Sequence, residues 1–277
     1  MKNKKQNIDY LSMFLRSMLY FSIVCVLLVF GILIGFIFIK GFAYLDLSLF
    51  EFNYTSENVS MMPSIINTVN MVLLALLIAM PLGIFGAIFL TEYANKKSKI
   101  LNLIAIASET LVGIPSIVYG LFGYLAFVIY FGLKTSFLAG ALTLSIMILP
   151  LILRSSQEAL SAVPMGFREG SFALGAGKLR TIFAIIVPAA TPGILAGVIL
   201  SIGKIVGESA ALLYTSGSVA QIAGLLESGR TLSVHMYALS SEGLHINQAY
   251  ATACVLVLLV LGINMLSNFI AKRLTKQ

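Results

Sequence analysis

Charge is scarce in this sequence: Asp, Glu, Lys and Arg together make up 10% of its 277 residues, where a soluble domain carries about a quarter. With 59% of residues hydrophobic and a mean hydropathy of +0.99, too few charges remain to solvate a globular surface. A cytosolic enzyme, a secreted domain and a disordered tail are thereby excluded. Cysteine is also sparse. Cys25 and Cys254 lie inside long apolar runs, where a thiol behaves as a small hydrophobe and no disulfide framework follows. His235 and His245 lack a neighbouring histidine, cysteine or carboxylate at ligand spacing, which favours packing or surface roles over a metal site. No nucleophile and base can be paired, and no Gly-x-x-x-x-Gly-Lys-Ser/Thr loop occurs, because Gly177-Lys178 is followed by Leu179 and Gly203-Lys204 by Ile205. Any ATP-driven step must be powered by another chain.

What is present is a series of long uncharged runs. Residues 17–39 form 23 consecutive uncharged positions between Arg16 and Lys40, and about 20 are needed to cross a bilayer core. Lys40-Gly41-Phe42-Ala43 offers no small-x-small cleavage site, so this span is expected to remain in the mature protein. Further spans are predicted at 63–90, with Pro81 as a possible kink, and at 110–133 and 135–153 as a hairpin turning at Gly132-Leu133-Lys134. The fifth and sixth are predicted at 181–203 and 246–271. Six apolar segments of helical length specify an all-α integral membrane bundle, since lipid leaves backbone groups no other partner and a barrel would need short alternating strands.

The formal charge of +7 is distributed as flanks of these runs, with no interleaved aromatic platform, and therefore does not indicate a nucleic-acid partner. With the amino terminus inside, 14 Lys and Arg fall on the cytoplasmic side against three outside, Lys40, Lys134 and Arg230, with Lys204 at the end of span five. The positive-inside rule then places both termini in the cytoplasm. Glycines four apart, Gly31/Gly35, Gly193/Gly197 and Gly203/Gly207, are candidates for close helix packing. Asn67, Thr68 and Asn70 in span two suit interhelical hydrogen bonding, and Glu109 reads as an interfacial acid.

Residues 154–180 are too long and too mixed for a bare connector. Ser155 and Ser156 can cap a short helix through Gln157-Glu158-Ala159-Leu160, Pro164 and Gly166 break it, and residues 168–174 read as a second short helix ending at Gly175. Phe172, Leu174, Ala176 and Leu179 among Arg168, Lys178 and Arg180 make an amphipathic knob. The residues alone fit two accounts equally: a helix seated in a partner's groove, or one lying on anionic headgroups.

The run Glu169-Gly170-Ser171, then Gly175, then Ile185-x-Val187-Pro188 resembles the EAA signature of bacterial ABC importer permeases, with Gly170 and Ser171 in place of the two alanines and Val187 in place of leucine. In that family the loop is the coupling helix that docks into the ATP-binding subunit, which favours docking over the headgroup account. The stretches 81–84, 92–94, 113–123, 192–195, 203–210 and 240–244 are similar to the PstA-type permeases of phosphate importers. The resemblance implies a type I (MetI-like) permease made of residues 1–57 (cytoplasmic start, first helix and outer loop), a permease domain at 58–271 holding the coupling loop 154–180, and a cytoplasmic tail at 272–277. It implies a PstC-like second permease, two PstB-like ATPases that hold ATP and Mg, a PstS-like phosphate-binding protein outside, and no cofactor in this chain.

The segment Gly203-Lys204-Ile205-Val206-Gly207-Glu208-Ser209 resembles the family's Gly-Arg-Ala-x-Gly-Glu-Thr, whose Arg and Glu are held to line the phosphate pathway. Lys204 and Glu208 are therefore the expected pathway residues, on one face if the helix continues, with Arg168 as a further candidate by analogy and an ion pair between Lys204 and Glu208 as the purely structural account. Lys supplies a point charge where Arg would supply a fork. Glu169, Gly170, Ser171, Gly175 and Pro188 are the expected coupling residues. A permease of the same build for sulfate or molybdate, an ion-driven secondary transporter and, third, an intramembrane enzyme are the alternatives.

Overall fold

A computed structural model of the chain describes residues 10–94 and 99–274. Lys2, Lys4, Lys5, Lys96, Lys97 and Lys276 of the charge tally, and the last three residues of the tail, lie outside these. The described residues are helical with short connections and no strand. Helix α1 (Tyr10–Ala43) leads through a 3-10 turn (Leu47–Phe50) to α2 (Met62–Ile88), which continues as a π-helical turn, Phe89–Tyr93. Then come α3 (Lys99–Gly113), α4 (Ser116–Gly123) with a π-helical extension, Tyr124–Tyr130, and α5 (Phe137–Ala162). Next are α6 (Met165–Ala173) and α7 (Lys178–Thr181), which runs through a π turn, Ile182–Ile186, into α8 (Val187–Val206). The chain ends with α9 (Ala210–Thr215), α10 (Leu232–Glu242) and α11 (Ile246–Leu274).

Five continuous helical stretches are long and apolar enough to cross a membrane: Leu11–Ala43, Met62–Tyr93, Phe137–Ala162, Lys178–Val206 and Ile246–Arg273. The third span, expected to be straight at 110–133, is instead broken: Leu103–Gly113 and Ser116–Tyr130 meet at 103°, and the pair makes the sixth segment. Pro115 causes the break, because it has no N–H to donate and drives Ile114 out of the helical region. Tyr119, buried in the second arm, donates its hydroxyl to the Leu111 carbonyl at 2.7 Å and so ties the two arms together. The hairpin turn after Tyr130 falls where expected, with Gly132 and Lys134 both at positive φ.

The core is built where α2, α5 and α8 cross, from Met71, Ala75, Ala79, Leu144, Ile148, Ile152, Val198 and Ile202. Of the three glycine pairs, one sits at this crossing. A side chain on Gly193 would meet the Ala159 Cβ at 2.6 Å and one on Gly197 would overlap Ser155, whereas nothing lies near Gly31, Gly35 or Gly203. Helix α1 stands outside the bundle against α11, with Phe36 edge-on to Tyr250 at 5.7 Å, and leaves most of its apolar surface exposed. In a bilayer that surface is satisfied by lipid tails, so its exposure needs no protein cover.

Two local expectations fail for one reason. Ser155 and Ser156 cap nothing, because α5 runs unbroken to Ala162; the Ser155 hydroxyl donates back to the Ile152 carbonyl at 3.2 Å. At 26 residues α5 is about 39 Å long, longer than the ~30 Å hydrocarbon core, so one helix both crosses the bilayer and carries the chain beyond it. Glu158, Arg154 and Gln157 belong to that continuation. Gly166 also lies inside α6 and does not break a helix; Pro164 alone makes the turn as the residue before α6.

Candidate functional site

The segment after α5 is held by one arginine. Arg168 on α6 sends Nη2 to within 2.6 Å of Glu92 Oε1 and Nε to within 3.2 Å of the same oxygen. Its Nη1 and Nη2 also donate to the main-chain carbonyls of Val163 and Leu160, at 2.8 and 3.0 Å. Both side chains of the pair are about nine-tenths buried. Glu92 comes from the π turn at the end of α2, so the guanidinium bolts α6 to two different transmembrane helices at once. Lys178 adds a second tie by placing Nζ 4.4 Å from the centre of the Tyr93 ring. Glu92 as the partner of Arg168 was missed in the sequence; the signal was an acid at the end of a long apolar run.

Around this bolt the loop folds back on itself. Gly175 takes φ +80 after α6, a conformation open to glycine at little cost, and the Ser171 and Thr181 hydroxyls meet at 2.8 Å across the turn. Glu169 and Gly170 are exposed, as is Pro188 beyond the π turn. Met165, Phe167, Phe172, Leu174 and Leu179 are all more than 45% exposed, with Leu174 at 91%. The segment thus has polar anchoring on one side and a bare apolar tip on the other.

At the other end of α8 the expected pathway residues separate. Helix α8 stops at Val206 with Gly207 as its cap, so Lys204 and Glu208 do not share a helix face. No ion pair joins them among the described residues. Lys204 is half-buried in an open groove of ≈620 Å³ lined by Val112, Leu151, Ala196, Ile199, Leu200, Gly203 and Asn264. Lys204 and Asn264 supply its donors; Asn264, on α11, is a second residue the sequence reading passed over. Glu208 is buried in the non-helical link, where Oε1 accepts the Ala211 N–H at 3.0 Å and caps α9. Arg168 lies on α6 against Glu92, and it is not among the residues that line this groove.

Beyond Glu208 the chain makes a compact outer structure that the sequence did not disclose. Asn67 on α2 donates to the Gln221 and Arg230 carbonyls at 2.8 and 3.1 Å and accepts the Ala223 N–H. Thr68 accepts the Leu232 N–H at 2.8 Å. These two residues bond as expected, while Asn70 is exposed. Ser233 donates to the Glu208 carbonyl, which joins α10 to the link between α8 and α9. His235 on α10 is fully buried against Tyr54. Burial first, and then the charge of Arg230, lower its pKa to about 3. On the opposite side of the molecule Glu109 is an exposed partner of Arg154 at 2.9 Å.

Residues 79–277 match the family of binding-protein-dependent transport system inner membrane components. The chain is similar to the probable ABC transporter permease protein YqgI of Bacillus subtilis (strain 168), 31% identical over 279 residues that cover 91% of this chain and 93% of that one. It is also similar to the phosphate transport system permease protein PstA homolog of Mycoplasma pneumoniae, 31% identical over 265 residues, 90% of this chain but 40% of the relative's length. Among solved structures, an inward-facing MetNI methionine ABC transporter aligns with a TM-score of 0.60 at 19% identity, over 78% of this chain and 94% of that one, which establishes the fold. The six apolar segments, the α6 projection between the fourth and fifth of them, and the match over most of the chain agree: this multi-pass membrane protein belongs to the binding-protein-dependent permeases of ABC transporters.

Proposed function

We propose that this chain is a permease subunit of an ATP-driven importer that carries inorganic phosphate across the bacterial cytoplasmic membrane, with both termini inside. The observation that carries the reading is likeness over nine-tenths of the chain to a relative named as a phosphate transport permease, together with the donors of Lys204 and Asn264 in one groove. A multiply oxygenated anion gives up hydration on entering a bundle, and the cationic and amide donors set in this largely apolar groove offset that loss. Lys204 attracts the anion by charge, Asn264 donates to an oxygen, and Glu208 holds the α8–α9 link in shape through its bond to Ala211.

The power comes from elsewhere. The bare tip of Phe172, Leu174 and Leu179 enters a cleft on a PstB-like ATPase, where ATP and Mg reside, and two such ATPases serve this chain and a PstC-like second permease. A PstS-like protein delivers phosphate outside. Closure of the ATPases moves the tip; Arg168 passes that motion to Glu92 on α2 and to the end of α5, and the helices rock about the groove.

Uptake of labelled phosphate in cells lacking this chain tests the reading. Loss of phosphate uptake with sulfate and molybdate uptake intact is the expected result. Loss of sulfate or molybdate uptake alone would assign a different solute to the same machine, and transport by vesicles holding this chain without an ATPase would make it a secondary transporter.

A further inference from the structure

The outer end of the molecule holds a buried cation that the transport reading does not use. Arg230 is 5% exposed, and its Nε and Nη2 have no hydrogen-bond partner. No carboxylate pairs with it among the described residues. Its guanidinium carbon stands 4.7 Å from the centre of the Tyr54 ring, and the same ring meets His235 edge-on at 6.3 Å. Both His235 nitrogens are fully buried and also without a partner; the Val59 main chain approaches the ring without hydrogen-bond geometry to either of them. Two buried side chains that meet the same Tyr54 ring thus hold four nitrogens without a hydrogen bond.

The surroundings add positive potential. Arg230 lies two residues before α10, whose amino-terminal end carries a partial positive charge. Thr231 and Ser233 place two hydroxyls 3.2 Å apart on the same turn, and Ser233 bonds the Glu208 main chain. A lone buried guanidinium costs several kcal/mol unless an opposite charge and hydrogen-bond acceptors meet it. An oxyanion supplies both. Among the described residues no carboxylate lies within ion-pair distance of Arg230, and Glu51 and Glu227 are engaged with Asn58 and with the Gly224 N–H.

We propose that Arg230 and His235 form an outer oxyanion-binding station, distinct from the Lys204 groove and joined to the α8–α9 link through the Ser233–Glu208 bond. The station takes a tetrahedral oxyanion of the phosphate or sulfate kind. The guanidinium Nε and Nη2 donate to two of its oxygens, and the neutral imidazole donates from one nitrogen. The proposal deepens the importer reading and rests on it for the direction in which the anion travels.

The test is thermal unfolding of the full chain in lipid nanodiscs, with the subunits that purify with it, in rising phosphate, in rising sulfate, and in chloride at matched ionic strength. Phosphate and sulfate should raise the melting temperature and chloride should not. In Arg230→Gln the half-effective phosphate concentration should rise roughly tenfold or more, as expected for loss of one charge-assisted hydrogen bond. Arg230→Lys and His235→Gln should give smaller increases, and they serve if the glutamine variant of Arg230 does not fold. Lys134→Gln, which removes an exposed cation elsewhere, should keep the effect. No stabilisation of the wild type, an unchanged half-effective concentration in the Arg230 variants, or abolition by Lys134→Gln would each overturn the station. Phosphate uptake by the wild type, measured separately, decides the importer reading, so the two can fail independently.

Discussion

Arg168 and Glu92 lie 76 residues apart in the chain and meet at 2.6 Å, each about nine-tenths buried. The pair joins the projecting α6 to the end of α2, and it gives the exposed tip a route to the bundle beside the covalent one through α7 into α8. Removal of one partner leaves the other charged and buried. Arg168→Gln should therefore destabilise the protein by about 3–5 kcal/mol, seen as a lower melting temperature, whereas the double change Arg168→Met with Glu92→Met should recover much of the loss. Equal stability of wild type and Arg168→Gln would mean that the bolt bears no load.

Gly175 sits at φ +80 with open space around it. A side chain there meets no neighbour, so the cost of Gly175→Val is backbone strain of about 1–2 kcal/mol, concentrated in the turn that shapes the tip. Membrane insertion should be normal and ATPase association should fall, measured by co-purification and by ATP hydrolysis. Association at the wild-type level would speak against the tip as the docking part.

The α5–α8 crossing makes a steric contrast testable. Gly197→Leu must displace Ser155, while Gly31→Leu on the lipid-facing helix meets nothing. The first should lower stability by about 1–3 kcal/mol and the second should leave it near the wild type, as read by thermal unfolding in detergent.

Lys204 has no ion pair among the described residues, and it lines the groove. Lys204→Gln should leave assembly and melting temperature close to the wild type and reduce phosphate flux severalfold, because a neutral amide lacks the charge that offsets anion dehydration. Undiminished flux would remove Lys204 from the pathway.

His235 gives a pH signature. Its pKa is about 3 when folded and about 6.5 when unfolded. Between those values the unfolded chain binds the extra proton, so stability is full above pH 6.5 and falls as pH drops towards 3, by at most about 1.4 kcal/mol per unit. His235→Asn should flatten the slope between pH 6.5 and 5, where few carboxylates titrate. An identical slope in the variant would mean that the imidazole is protonated in the fold.

Much of this molecule was legible without coordinates. Uncharged runs of bilayer length identify the helices because lipid permits no unpaired backbone, and the polar insert from Arg154 to Arg180 stands out because so long and mixed a stretch exceeds what a bare connector needs. Gly175 and Pro164 mark their own turns through the backbone angles they permit. Local chemistry of this kind is written residue by residue.

Tertiary structure decided what depends on distant partners. Whether α5 ends at the membrane or continues past it, whether Lys204 and Glu208 share a face, and which acid meets Arg168 are set by packing between helices far apart in the chain. The outer cluster of Tyr54, Arg230 and His235 depends on Asn67 and Thr68 pinning a loop from the other end of the sequence. Hydrophobic pattern fixes which segments enter the bilayer, because transfer into lipid is a property of each segment. It is indifferent to which polar groups meet inside, because those pairings arise only once the helices have chosen their neighbours.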